Sequence, residues 1–294
     1  MHVLRLLAAL CFATSLACAS SSSLRPSSAP EASTNSRGEG DLRVMTFNIQ
    51  SAVRGMDGVA EVIRSSAPDI VALQEVDVGS RRSQGLDQTK ELAQRTGLPY
   101  YAHFRTTDIH GGAYGVGILS RFPLESVRQH PLPVQGADEP RTLGHALVKV
   151  NGQEVSVYVT HLTRRPFNGA IRVRQSAAIM KVVQADARPK LLLGDMNDTP
   201  DAGSIRLFKR ELMDVFALRG EGSADTYPLP VIPDLRIDYV LACEHFMPKS
   251  SRVLRVKASD HYPVVADITL LGPVTASGAE VVERPHAEPT TRSQ

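Results

Sequence analysis

Strand-length apolar runs recur from Leu42 to Leu270, and many of them end on a carboxylate, an amide or an imidazole. The runs at Leu42–Ile49, Ile70–Val76, Val116–Ser120, Leu143–Val150 and Val155–His161 are mostly bounded by turn residues, as strands require. Leu191–Asp195, Ile237–Ala242, Arg252–Val256 and Pro263–Leu270 continue the series. Helical periodicity is confined to Val59–Ser66, Asp87–Arg95, Gly169–Ala187 and Ser204–Arg210. The order starts as strand, helix, strand. It then changes to consecutive strands with hairpin spacing, as at Asn151-Gly152 between two alternating runs. This mixture predicts an α/β fold in which sheets pack face to face and helices cover the outside.

A chain of 294 residues can bury one sizeable core, so one catalytic domain is expected, from about Asp41 to Leu271. Residues 20–40 and 272–294 are rich in Ser, Pro and small polar types that bury too little apolar surface to order themselves. They read as a disordered linker and tail. Residues 1–19 read as an export signal: Arg5 supplies a short charged region, Leu6 to Ala17 is largely apolar, and Ala17-Cys18-Ala19 offers small residues for cleavage. The run is shorter than the roughly 20 apolar residues needed to span a bilayer. In the alternative processing route, residues 1–17 are a lipoprotein signal and Cys18 becomes the lipidated first residue. Either route puts the protein outside the cytoplasm, as a periplasmic, extracellular or lipid-anchored species. Cys243 is then the one cysteine left in the folded part, which excludes an intramolecular disulfide. It follows the apolar run Tyr239–Ala242 and reads as a small core residue.

The net charge of +2 with 22% charged residues lacks the strongly basic balance that would by itself argue for a nucleic-acid partner. The 26 Arg against 7 Lys suit bidentate contact with phosphate, but base composition of the genome produces the same bias.

The chemistry lies at the strand ends. Asn48 closes the first run, Glu75 the second, His161 follows Val157–Thr160, Asp195 and Asn197 follow Leu191–Leu193, Asp238 opens Tyr239–Leu241, and Asp260-His261 precede the last. Rigid strands can hold such groups in fixed mutual geometry. If they converge, Glu75, Asp195, Asp238 and Asp260 would raise one another's pKa unless a cation is present. Carboxylate and amide oxygens suit Mg2+ or Mn2+, whereas zinc prefers closely spaced Cys and His, which this chain lacks. Taken singly, Asn48 reads as a turn residue, Asp238 as a strand-edge charge and His161 as a satisfied polar group. Glu75 is harder to dismiss, because a Glu interrupting an apolar run is uncommon without a partner. His103, His110, His130, His145 and His245 have no such context and receive no role.

The strings VMTFNIQ, DIVALQEVD, GVGILSRFPL, VTHL, LLLGDMND, RIDYVLA and SDHYPVVADI follow one another in the order and approximate spacing of the endonuclease/exonuclease/phosphatase superfamily, which this chain therefore resembles across residues 42–270. The resemblance implies a four-layered α/β sandwich of two packed, mostly antiparallel sheets flanked by helices. It implies that Glu75 binds Mg2+ (or Mn2+), with Asn48 and Asp260 assisting at the metal or its water shell. It further implies that Asp195 deprotonates an attacking water, Asn197 holds that water or a phosphate oxygen, and His261, oriented by Asp238, donates to a nonbridging oxygen. His161 would contact the phosphate or assist the leaving group. An Asp with an ordinary pKa of about 3.9 can already act as such a base at neutral pH.

Arg141, Arg164 and Arg165 are candidate contacts to an anionic substrate, and Asp108–Tyr114 is either a mobile loop over the site or an ordinary turn. Met196 stands where many relatives have an aromatic residue. Tyr100, Tyr101 and Tyr114 are the candidates for a tyrosine at the phosphate. The expected activity is that of a phosphodiesterase acting on nucleic acid or a phospholipid head group. An inositol-phosphate-type phosphomonoesterase and a catalytically silent binding module on the same fold are the alternatives. No protein partner is inferred, and a monomer is expected.

Overall fold

The computed structural model describes residue 38 and residues 40–136, 138–165, 169–230 and 233–272. The export signal at 1–19, and nearly all of the linker and tail, lie outside these residues. In chain order the first elements are β1 (Asp41–Asn48), α1 (Met56–Ser66), β2 (Ile70–Val78), α2 (Gln88–Thr96), β3 (Tyr100–Ile109) and β4 (Gly112–Ser120). Next come β5 (Glu125–Pro131), β6 (Thr142–Val150), β7 (Gln153–His161), α3 (Gly169–Gln184), β8 (Lys190–Asp195) and α4 (Gly203–Phe208). The last are β9 (Met213–Asp214), α5 (Val215–Arg219), β10 (Gly220–Glu221), β11 (Asp238–Ala242), β12 (Phe246–Val253) and β13 (Val264–Leu270).

Among the described residues these strands form a seven-stranded sheet, β10-β12-β13-β1-β2-β4-β3, and a six-stranded sheet, β5-β6-β7-β8-β11-β9. Pairing is antiparallel except for β1 with β2, β10 with β12 and β7 with β8. Side chains on β1 alternate between two layers. Leu42 and Val44 join the core that also holds Val157, Val159, Leu191 and Leu193 of the second sheet, whereas Met45 and Phe47 pack with Val59, Ala60 and Ile63 of α1 and Leu92 of α2. Ile179, Val183 and Phe208 place α3 and α4 against the second sheet. The result is the expected four-layered sandwich. Each fully buried Leu or Ile in it contributes about 1.5–3 kcal/mol.

Local signals act where the chain turns. Asp87 caps α2 by accepting from Lys90 N at 3.0 Å, worth about 1 kcal/mol. Asn151 (φ 50°) and Gly152 (φ 79°) make the tight turn between β6 and β7. Some strands differ from the sequence reading. Strands β3 and β5 show no usable alternation: β5 is an exposed edge strand of mostly polar residues ending in Pro131, a composition that discourages edge pairing. Strand β12 lies at Phe246–Val253 rather than Arg252–Val256, with a bulge at Pro248/Ser250 that accommodates a proline within the strand. Asp108–Tyr114 is the ordinary turn of the β3–β4 hairpin, with His110 (φ 52°) and Gly111 (φ 82°) at its tip.

A buried polar cluster sits in the second sheet. His145 stacks on Tyr158 at 4.3 Å between ring centroids, and Tyr158 donates to Asp186 Oδ2 at 2.8 Å. Ser156 spends its single hydroxyl proton on Asp186, so its 3.1 Å contact with His145 Nε2 is accepted from the ring N–H. Burial pushes His145 down to about 4. Cys243 is buried and accepts from Lys190 N at 3.2 Å.

Candidate active site

Strand register brings the polar strand ends together. Asn48 lies opposite Gln74 across the parallel β1–β2 pair, His161 opposite Asp195 across β7–β8, and Asp195 opposite Asp238 across β8–β11. Glu75 sits in a bulge between Gln74 and Val76, at φ 58°. This left-handed conformation is unfavourable for Glu, and strain of this kind gathers at functional sites. Gly194, just before Asp195, is required by close approach: a Cβ there would lie 2.0 Å from Thr160 O on β7.

Asn48 is the hub between the sheets. Its Nδ2 donates to Glu75 Oε1 at 3.2 Å and to Asp195 Oδ2 at 3.1 Å, while Gln50 N at 3.1 Å fixes its Oδ1. Asp195 is 1% exposed and receives Asn197 N on Oδ1 at 2.9 Å. Burial, reinforced by Asp238, raises its carboxyl well above the usual carboxylate range. That departs from the ordinary pKa expected for the base, because the sequence could not show that both sheets close over it. Burial likewise raises Glu75, against the stabilising Asn48 amide.

The two histidines are in opposite states. His261 donates from Nδ1 to Asp238 Oδ2 at 3.0 Å, and its Nε2 is 3.7 Å from Asp195 Oδ2. Burial opposes its charged form, but Asp238 and Asp195 overcome it and lift the imidazole to about 10. His161 Nε2 is 3.3 Å from the same Asp195 oxygen. Its burial, with Arg141 and His261 nearby, holds it well below the ordinary value, so this is the contact of a neutral ring rather than an ion pair.

Glu75, His161, Asp195, Asn197, Asp260 and His261 line one cleft of about 350 Å3. Arg164 and Arg172 also border it, and Tyr227, Leu235 and Ile237 complete its wall. Ser259 Oγ donates its proton to Asn48 O at 2.7 Å, tying the Asp260-His261 segment to β1, and lies 3.2 Å from Asp260 Oδ1. Asn197 donates from Nδ2 to Leu162 O at 3.1 Å. Arg141 is buried and pairs with Glu139 at 2.9 Å. Arg165 turns to Asp138 at 3.0 Å and lines a neighbouring pocket rather than the cleft. Tyr227, absent from the sequence candidates, tilts against His261 with ring centroids 4.7 Å apart. It lies in a segment without strand or helix periodicity, so no sequence pattern marked it. Tyr100 and Tyr101 lie at the far end of β3, opposite Ser120 and Leu119.

The donor set fits a hard divalent cation. Glu75, Asp195, Asp238 and Asp260 offer oxygen ligands, all buried or half-buried, and Asp238 Oδ1 is buried without a hydrogen-bond partner, whereas Asn48 turns its Nδ2 to Glu75 and Asp195 and its Oδ1 to Gln50 N. Among the described residues, ligand atoms of Asp195, Asp238 and His261 lie within 4.8 Å of one another. A protonated His261 competes with a cation at that cluster, which favours Glu75 and its neighbours as the ligands.

The model of the Endonuclease/Exonuclease/phosphatase family matches residues 45–261. The uncharacterized protein YbhP of Escherichia coli is 28% identical over 248 residues, spanning 78% of this chain and 96% of YbhP. The crystal structure of an endonuclease/exonuclease/phosphatase from Beutenbergia cavernae superposes with a TM-score of 0.69 at 29% identity, over 81% of this chain and 74% of that one. The human Nocturnin catalytic domain, solved with a bound sulfate anion, matches with a TM-score of 0.64 at 20% identity, over 79% and 94% of the two chains. The two-sheet sandwich is thus the fold of a known group of phosphoester hydrolases, and this chain belongs to the endonuclease/exonuclease/phosphatase family.

Proposed function

We propose that this protein is an exported, Mg2+- or Mn2+-dependent phosphodiesterase. The observation that carries the reading is the shared oxygen Asp195 Oδ2, contacted by Asn48 at 3.1 Å, neutral His161 at 3.3 Å and cationic His261 at 3.7 Å on the wall of one cleft. An Asp held by two fixed donors, Asn48 Nδ2 and Asn197 N, is a positioned base, and its raised proton affinity suits it to accept a proton from water near neutral pH. His261, kept cationic by Asp238, supplies a donor where negative charge develops on a nonbridging oxygen. Asp238 acts through His261 and is a positioning residue. His161 is a neutral donor beside the leaving group. A divalent cation held by Glu75, with Asn48 and Asp260 at its shell, supplies Lewis-acid stabilisation of phosphoryl charge.

The mixed lining of the cleft supports a diester: Tyr227, Leu235 and Ile237 offer apolar contact and Arg164 and Arg172 cationic contact, for two unlike substituents on phosphorus. The grouping of Arg141, Arg164 and Arg165 favours the second reading, a phosphomonoesterase for a multiply phosphorylated substrate. Export rests on the apolar Leu6–Ala17 run and its small-residue cleavage site.

Hydrolysis of bis(p-nitrophenyl) phosphate and p-nitrophenyl phosphate is the test, with Mg2+ or Mn2+ and with chelator. The diester should be preferred, and Glu75→Ala, His261→Ala and Asp195→Asn should each lose about 100-fold or more in kcat. Preference for the monoester selects the second reading. A folded protein inactive on both esters, DNA, RNA, sphingomyelin and inositol phosphates leaves a binding module.

A further inference from the structure

Beside the cleft, and sharing Arg164 with it, lies a second pocket of about 250 Å3 lined by Asp138, Glu139, Arg141, Thr163, Arg164 and Arg165. We infer that this pocket is a subsite for a second phosphate group carried by the substrate. The inference deepens the proposed function and rests on it for the reaction, though not for binding.

Three observations support it. First, Arg141 is 4% exposed, and its Nε is buried with no hydrogen-bond partner although Nη1 reaches Glu139 at 2.9 Å. A buried guanidinium with an orphaned N–H is costly, and a shift of the side chain towards an anion in the pocket satisfies it. Second, the pocket is built rather than incidental. Gln175, fully buried on α3, joins its two walls by donating to Pro133 O at 2.9 Å and Thr163 Oγ1 at 2.9 Å while accepting from Thr163 N at 3.1 Å. Arg172 donates to Thr163 O at 3.1 Å and to Arg165 O at 3.0 Å, holding the segment that carries Arg164 and Arg165. Third, the charges are poised to exchange partners. Arg141 and Arg165 are paired with Glu139 and Asp138, whereas Arg164 has no carboxylate partner among the described residues. Three guanidiniums around a pocket that shares Arg164 with the catalytic cleft suit the several acceptor oxygens of a phosphate. The two carboxylates set a cost against binding, which selects a dianion over a weaker ligand such as a lone carboxylate.

The subsite adjoins the catalytic cleft, so the second phosphate belongs to the same molecule as the scissile ester. An adjacent backbone phosphate of an oligonucleotide and a neighbouring phosphate on a phosphorylated ring both supply this chemistry.

The experiment compares the p-nitrophenyl ester of thymidine 5′-phosphate with and without a 3′-phosphate, using the whole exported protein with Mg2+ and its Arg164→Gln/Arg165→Gln double variant. The second phosphate should raise kcat/KM by about tenfold or more, the effect of one or more charge-assisted hydrogen bonds. The double variant should bring that ratio towards one. A ratio cancels any general loss of activity in the variant. Calorimetric binding of thymidine 3′,5′-bisphosphate and of inositol bisphosphate against inositol monophosphate distinguishes the two sources. Tighter binding of either bisphosphate, lost in the variant, supports the subsite even where neither ester is hydrolysed, in which case the proposed reaction fails alone. Hydrolysis with a ratio near one in the unmodified protein, or equal binding of mono- and bisphosphates, overturns the inference.

Discussion

Acidification should unload the buried His145 cluster, and the magnitude follows from its geometry. In the folded protein His145 is neutral, donating to Ser156 at 3.1 Å with Tyr158 stacked at 4.3 Å, and burial lowers it from 6.5 to about 4. The unfolded chain therefore binds the proton more tightly than the folded one. Stability from this group is complete above pH 6.5 and is lost as pH falls towards 4. At about 1.4 kcal/mol per tenfold difference in proton affinity, the full loss is about 3 kcal/mol. At pH 5 it is about 2 kcal/mol, or roughly 4–8 °C in Tm for a domain of this size. The assay is thermal unfolding at pH 7.5 and 5.0 of the unmodified protein and of His145→Gln, whose amide N–H can still donate to Ser156 Oγ. His103 and His161 are lowered in the same direction and titrate in both proteins, so only the difference between the two losses reports His145. The variant should lose about 2 kcal/mol less. Equal losses would refute the reasoning and show that the cluster admits a charged imidazole without penalty.

Two further outcomes test the site. Gly194→Ala forces a Cβ into Thr160 O, so β7 and β8 must separate where they carry His161 and Asp195; melts should show a loss of about 3 kcal/mol, and hydrolysis should fall with it. Mg2+ added to chelator-stripped protein should stabilise it by about 2.7 kcal/mol at a hundredfold excess over Kd; Glu75→Ala should abolish that gain, and an unchanged gain in the variant would move the cation to other ligands.

Much of the fold and of the candidate site was legible because the relevant signals are local. Alternation and turn residues mark β1, β2, β6, β7, β8 and β13, and Asn48, Glu75, His161, Asp195 and Asp238 lie within or at the ends of those runs or of β11. The edge strand β5 was illegible because neither of its faces has to be apolar. Tyr227 was illegible because a tyrosine in an irregular segment looks the same whether it lines a cleft or faces solvent. Arg165 was read with Arg164 because the two are adjacent in sequence, yet only Arg164 borders the cleft while Arg165 turns to Asp138.

By itself the sequence determined which residue types end each strand, since periodicity and turn chemistry are written within a few neighbouring positions. Only the tertiary structure decided their charge states. Asn48 meets Asp195 from 147 positions away, and Asp238 meets His261 across 23. Desolvation by two packed sheets then leaves His161 neutral, while Asp238 and Asp195 overcome it and keep His261 cationic. Proton affinity depends on everything that displaces water around a group, and that is settled only when distant segments close over it.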